Sequence, residues 1–428
     1  MTKRFFPRWF EGFDSFQSEN PSFDPFNLTV HNELRARGFS QFASPNPAWQ
    51  APNFRITNES VGKALEVKNV ATGGQNANIK IGPTVESGNA FSARFQPTEF
   101  EMARIDLNGV LTSLSLCYLF SFNSAESFDT SAHGINVFAV ESGGLVITEG
   151  VNGNSQFFLE DTSSPLSSNF GIIGGFNWNE PRHITLHFTN TVSNGEANMN
   201  QARVVNIFES TSGGILFSEG IPSGGLSSRH LFWSGAAGMA SVQTHRFENG
   251  EALLEAGESY FGCKIDDVCL WEYDPELSSG PVSATPNVRV RALPLQNITT
   301  DGTEFGSGSL AEKLRSFDGD GSGVALTGTE EIAAETDDSA IQSEFAFGQV
   351  LGLGLTLSQA APEGSFDFNL EINEGSPGTE ISSTETQEDA TFRPLRVVYK
   401  EKANETDWTL ADLPNVEIKI SGIGSTPE

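Results

Sequence analysis

Phe10-Glu11-Gly12-Phe13-Asp14-Ser15-Phe16 alternates large aromatic residues with small or acidic ones. Far along the chain, Ile265-Asp266-Asp267-Val268-Cys269-Leu270-Trp271 sets apolar residues around a pair of acids, and the sequence soon breaks at Ser278-Ser279-Gly280-Pro281. Alternation with period two is the mark of a strand with one apolar face. An opening strand and a closing strand of this kind bracket a β-sandwich. The expected fold is therefore all-β: a sandwich over residues 1–280, carrying an N-terminal extension, and a second, smaller β domain over 281–428.

Composition agrees with that class. The 428 residues are 37% hydrophobic, and Phe (34) far outnumbers Tyr (4) and Trp (6). Phe is a β-favouring core filler with no polar handle. The 43 Gly and 20 Pro suit many turns. The net charge is −30, which makes nucleic acid a poor partner. Asp301 to Asp389 holds 19 Asp and Glu against only Lys313 and Arg315. No stretch approaches the roughly 20 apolar residues of a membrane helix, so no membrane insertion is expected. The basic, aromatic start Met1-Thr2-Lys3-Arg4-Phe5-Phe6-Pro7-Arg8-Trp9 lacks the apolar run of a signal peptide.

Strand signals recur from Leu111 to Phe122, over Ile135–Val140 and Leu145–Thr148 around Gly143-Gly144, and at His183–Phe188, Arg203–Phe208 and Ile215–Phe217. Ser309–Arg315 is the best helix signal, worth one or two turns. Strands return at Ile341–Leu357, Ser365–Ile372, Thr391–Tyr399 and Val416–Ile420. Cys117, Cys263 and Cys269 do not make a disulfide framework. On one regular strand Cys263 and Cys269 point to the same face about 20 Å apart, so they cannot pair; small core residues are the default for all three.

Three anchors, in order, resemble a family of tailed-phage virion structural proteins. These are Phe10, Gly12, Phe13, Asp14 and Phe16 at the start; Ile265–Val268 followed by Val288, Arg289, Val290, Leu293 and Pro294; and Glu405-Thr406-Asp407-Trp408-Thr409-Leu410-Ala411-Asp412-Leu413 with Asn415–Lys419 near the end. Glu335-Thr336-Asp337-Asp338-Ser339 resembles the family's acidic turn. The Asp-Pro usual before the Trp segment is absent, since Asp407 abuts Trp408. The resemblance implies a concanavalin-like or laminin G-like jelly roll followed by a small C-terminal β-sandwich. It also implies a place in the virion, assembled in the host cytoplasm, among symmetry mates and other virion proteins. A tail fibre, spike or appendage that adheres to host glycans is the leading expectation, as a homo-oligomer with a trimer favoured. A capsid decoration protein on the head lattice is the alternative. A lectin or glycan-active enzyme is a third class.

Candidate sites follow from chemistry. First and last strands of a jelly roll lie side by side, so Glu11 and Asp266 come close enough to favour a structural Ca²⁺, or Asp266 caps a strand at the rim. No other cofactor is expected. Trp178, flanked by Asn177 and Asn179, has the stacking surface and amide groups a sugar needs, or is a core residue. Phe5, Phe6, Trp9 and Phe10 either anchor an arm on a neighbouring subunit or cover their own sandwich. His183 and His187 read as an exposed polar strand face rather than a metal pair. Asp318–Gly323 resembles the start of a calcium loop, but the position expected for its closing acid is Thr329. No paired-acid strand, nucleophile elbow or phosphate loop is present, so no enzymatic activity is expected.

Overall fold

The computed structural model describes residues 5–16, 30, 33, 34, 37, 40–43, 53–59, 62–68, 77–80, 85–86, 90–107, 110–123, 133–151, 154–158, 176–190, 202–209, 214–220, 230–233, 262–273, 285–315, 323–327, 329–345, 349–359, 366–373, 380–387, 393–402 and 405–422. The chain divides into two compact units. The first comprises Met1–Phe13, Glu19–Leu28 and Phe39–Val290; the second comprises Asp14–Ser18, Thr29–Gly38 and Arg291–Glu428. This division differs from 1–280 and 281–428 in two respects. Residues 281–290 go with the first unit, and two pieces of the N-terminal extension go with the second.

The first unit is a sandwich of two antiparallel sheets. The larger runs in the order Gly214–Gly220, Ala202–Glu209, Arg182–Asn190, Ala90–Glu99, Gly262–Tyr273, Lys63–Lys68, Asn53–Asn58. The other runs Asn154–Phe158, Leu145–Val151, His133–Val140, Val110–Asn123, His230–Trp233, Val85–Glu86, with Glu101–Leu107 also on Val110–Asn123. The hairpin at Gly143-Gly144 forms as the glycines dictate: their φ values are 112° and 83°, which only glycine adopts without strain. Phe91, Ala93, Phe95, Ile184, Ile265 and Leu270 from the larger sheet and Leu116, Leu119, Val137 and Ala139 from the other are all buried.

The closing strand organises this unit. One edge pairs with Ala90–Glu99 along its length. The other edge pairs with Lys63–Lys68 through Ile265, then with Phe5–Glu11 from Val268 onward. The opening and closing segments that frame the sequence are thus hydrogen-bonded neighbours, with Glu11 opposite Val268 and Phe5 opposite Tyr273.

The turn out of the opening strand requires glycine at position 12. A Cβ there would lie 2.1 Å from the Val290 carbonyl oxygen and 2.8 Å from its carbon. Backbone cannot retreat as a flexible side chain does. Gly12→Ala is expected to cost about 2–3 kcal/mol, read as a fall of roughly 5–10 °C in the melting temperature of this unit. A melting curve superimposable on the parent's would show that Val290 does not pack against Gly12.

In the second unit a five-stranded antiparallel sheet runs Leu295–Thr300, Glu331–Thr336, Glu417–Gly422, Phe366–Asn373, Glu380–Gln387. Ribbons Leu353–Gln359 with Arg393–Tyr399 and Gln349–Val350 with Trp408–Thr409 complete it. Its core gathers Ile341, Leu353, Ile372, Tyr399, Trp408, Leu413 and Val416. The helix Leu310–Arg315 is capped as its sequence prescribes: Ser309 Oγ accepts from the Glu312 amide at 3.3 Å while Glu312 Oε2 accepts from the Ser309 amide at 2.7 Å.

Part of the extension is built into this unit. Phe16, Val30 and Leu34 are about 1% exposed. Arg37 donates to Ser15 Oγ, to the Ser15 carbonyl and to Glu33 Oε1, and its guanidinium lies 4.0 Å from the Phe16 ring centroid. Arg396 Nη2 in turn donates to the Arg37 carbonyl at 2.9 Å. A planar cation with fixed donors holds these short pieces in place where period-two patterning is absent.

Candidate functional site

The regular alternation of the closing strand breaks at Asp266-Asp267. Asp266 pairs with Arg94 and Cys269 with Ser92, so the closing strand advances three residues while its partner advances two. This is a β-bulge, and Asp267 takes the left-handed conformation it needs, at φ 51°. The extra residue reverses which side chains face the opposite sheet. Cys263, Ile265 and Leu270 align with Pro97, Phe95 and Phe91, whereas Cys269 aligns with Ser92 on the other face.

That other face is polar and yet buried. Asp267 is fully buried, with Oδ2 accepting from Arg94 Nε at 2.9 Å and Arg289 Nη1 at 3.0 Å, and Oδ1 accepting from the Val290 amide at 2.8 Å. Arg94 Nη2 continues to Asn287 Oδ1 at 2.7 Å. The Thr185 and Thr285 hydroxyls meet at 2.6 Å, and Trp271 Nε1 donates to Ser92 Oγ at 2.8 Å. The segment Thr285–Val290 therefore lies over the outer face of the larger sheet, bolted down at Thr185, Arg94 and Asp267. A buried carboxylate shared by two guanidiniums and an amide is fully used. Its chemical capacity is to hold this segment.

His183 belongs to the same seam. The expectation of an exposed strand face is corrected, because Thr285–Val290 covers it and His183 is 0% exposed. Burial first, then the Arg94 charge, pushes its pKa down from 6.5 to about 3, with Arg289 acting in the same direction and Asp267 opposing. The unfolded chain takes up this proton as pH falls below 6.5 and the folded chain does not. His183 thus contributes stability that is complete above pH 6.5 and is lost progressively towards pH 3. The loss between pH 7.5 and pH 5 is about 2 kcal/mol. Urea midpoints for His183→Gln and the parent over that range check this: the variant's dependence should be shallower by that amount, and parallel curves would contradict it.

Glu11 and Asp266 lie on paired strands and both are buried. Each has a local backbone partner: Glu11 Oε1 accepts from the Phe13 amide at 3.3 Å and Asp266 Oδ1 from the Asp267 amide at 2.7 Å. Among the described residues no three His, Cys, Asp or Glu group as metal ligands. The Asp318–Asp320 stretch lies outside the described residues.

Trp178 is not a stacking platform. It is 7% exposed, its Nε1 donates to the Gly144 carbonyl at 3.0 Å, and it meets the Phe176 ring edge-on at 5.1 Å. The reason is local: the Gly143-Gly144 turn bonds back to the Phe176 carbonyl and draws the indole inward. Asn177 is exposed but uses Oδ1 on the Asn179 amide and on Arg182. Phe5 and Trp9 are buried in their own unit, Phe5 against Trp271 at 6.3 Å, while Phe6 and Phe10 are half-buried. The arm reading fails for Phe5 and Trp9, because the opening strand is itself a member of the larger sheet.

Asp267, Arg94, Arg289 and Asn287 were not singled out from the sequence as a site. One signal was available. An acid between Ile265 and Val268 in an otherwise apolar run must be buried, and a buried acid requires a cation.

Neither a protein-family model nor a curated protein matches this sequence. Among solved structures, the alginate lyase Aly36B with alginate trisaccharide is similar over 62% of this chain and 98% of its own, at 10% identity and a TM-score of 0.34. A structure from work on endo-acting O-glycanases of the human gut microbiota covers 63% and 100%, at 11% identity and a TM-score of 0.32. A galectin-like protein of unknown function from Bacillus subtilis covers 62% and 98%, at 10% identity and a TM-score of 0.22. At these identities the likeness concerns the fold alone. The expectation that the chain is not an enzyme is withdrawn: the lack of a recognised dyad or elbow excludes no activity, and likenesses at these TM-scores assign none.

Proposed function

We propose that this chain is a structural component of a tailed-phage virion, acting by assembly in a tail fibre, spike or related appendage. The observation that carries the reading is the convergence of the motifs that suggested it. Gly12 packs on Val290, Glu11 pairs opposite Val268, and Asp267 binds Arg289 and the Val290 amide. Motifs from the start, the middle and the domain junction thus serve one buried seam. The last of the three anchors supplies the centre of the second core through Trp408, Leu413 and Val416. Sequence elements so far apart that meet in one place specify an architecture, and an architectural role is what the resemblance implies. The net charge of −30 suits a component that stays soluble at high local concentration before docking.

The test is composition of the particle. Particles purified from a lysate are separated into heads and tails, and each fraction is analysed by quantitative mass spectrometry. The expected result is this chain in several copies per particle in the tail fraction, with the isolated protein sedimenting as a trimer. Recovery with heads would assign it to the head lattice instead. Absence from purified particles would overturn the proposal.

A further inference from the structure

The larger sheet and the sheet facing it each bring one cysteine to the space between them. Cys117 sits on Val110–Asn123 and Cys263 opens the closing strand. Both are 0% exposed. Cys117 Sγ donates to the Gly262 carbonyl at 3.3 Å, one residue from Cys263, whose own Sγ donates to the Lys264 carbonyl at 3.3 Å, and the Cys263 thiol is near enough to help raise the Cys117 pKa. The third cysteine is excluded geometrically. The bulge at Asp267 turns Cys269 to the opposite face, alongside Ser92.

We propose that Cys117 and Cys263 are a disulfide pair that staples the two sheets when the sandwich closes in the presence of a low-molecular-weight organic disulfide. The exchange balances. One cysteine thiolate attacks glutathione disulfide, forming a mixed disulfide and releasing one glutathione thiolate. The second cysteine thiolate then attacks the protein sulfur of that mixed disulfide and releases the second glutathione. Two cysteines are oxidised, one glutathione disulfide is reduced, and the two cysteine protons pass to the two glutathione thiols. Once the fold is complete, burial holds the Cys117 thiol well above its ordinary pKa, so it is protonated and unreactive. The bond therefore forms as the sheets come together. It closes a loop of roughly 150 residues, the long-loop case in which a crosslink constrains the unfolded chain most.

The experiment uses the full chain, unfolded under reducing conditions and refolded with a mixture of reduced and oxidised glutathione. Remaining thiols are alkylated in denaturant and the protein is digested with trypsin, which cuts after Lys264 and separates Cys263 from Cys269. The expected result is a crosslinked pair of peptides bearing Cys117 and Cys263, with only Cys269 alkylated. The oxidised protein should melt roughly 5–10 °C above the reduced one. Cys269→Ser should keep the crosslink and Cys263→Ser should abolish it. Should refolding from denaturant give aggregates, the same analysis is made on chain synthesised in a cell-free extract containing the glutathione couple. Three alkylated cysteines in protein with the native circular dichroism spectrum, crosslinks through Cys269, or glutathione adducts without a crosslink would each overturn the proposal.

Discussion

Replacing Asp267 with alanine is expected to lower the unfolding free energy of the first unit by about 3–5 kcal/mol. The carboxylate is fully buried and accepts from Arg94, Arg289 and the Val290 amide. Its removal leaves the Arg94 guanidinium, itself only 8% exposed, without its counter-charge. The Arg289 side chain, 39% exposed, can turn to water and loses little. Most of the cost therefore lies in Arg94. The paired change Arg94→Met with Asp267→Leu should recover a large part of the loss, because it removes both charges and leaves apolar volume. Urea denaturation of the parent, the single variant and the pair measures this. A single variant within about 0.5 kcal/mol of the parent would be typical of an unimportant surface position and would contradict the described seam.

The second large effect is expected at Trp408. Its side chain is 0% exposed at the centre of the second core, among Ile341, Leu353, Ile372, Tyr399, Leu413 and Val416. Trp408→Ala should cost about 3–5 kcal/mol, the transfer of a large ring plus the cavity left behind. Trp408→Phe should be far milder, about 1.5 kcal/mol or less. The indole Nε1 is buried with no hydrogen-bond partner among the described residues, so phenylalanine keeps much of the packing and removes an unsatisfied donor. Pulse proteolysis in urea, read on fragments of residues 291–428, separates this unit from the first. Equal losses for the two variants would show that the polar group, and not the ring, matters there.

Much of the fold was legible because period-two patterning is a local signal. Leu111–Phe122 reads as a strand and becomes Val110–Asn123; His183–Phe188 becomes Arg182–Asn190. The pairing of the first and last strands was legible from their matched character. The stretch Ile341–Leu357 was misread in part. Ser339–Glu344 is a helix, started by Asp337 Oδ1 accepting from the Ser339 amide and by Asp338 Oδ2 accepting from Gln342. Those are short-range acid contacts that an apolar pattern does not register.

The candidate site was legible in its location and not in its chemistry. Attention to Glu11 and Asp266 pointed to the right strands, but the residue that binds is Asp267. A single bulge moves every later side chain of the closing strand to the other face, and a one-residue insertion is invisible to alternation counting. Trp178 looked available for a ligand because Asn177 and Asn179 are polar. Its burial depends on the Gly143-Gly144 turn, which is remote in sequence.

The sequence motifs meet because Asp267 fastens Thr285–Val290 onto the larger sheet. Hydrogen exchange at the Val290 amide, resolved to single residues by fragmentation, tests it most directly. The expected result is exchange as slow as that of the closing strand around Leu270, and release of that protection in Asp267→Asn. Exchange of Val290 at the rate of an exposed linker, unchanged by that substitution, would contradict it.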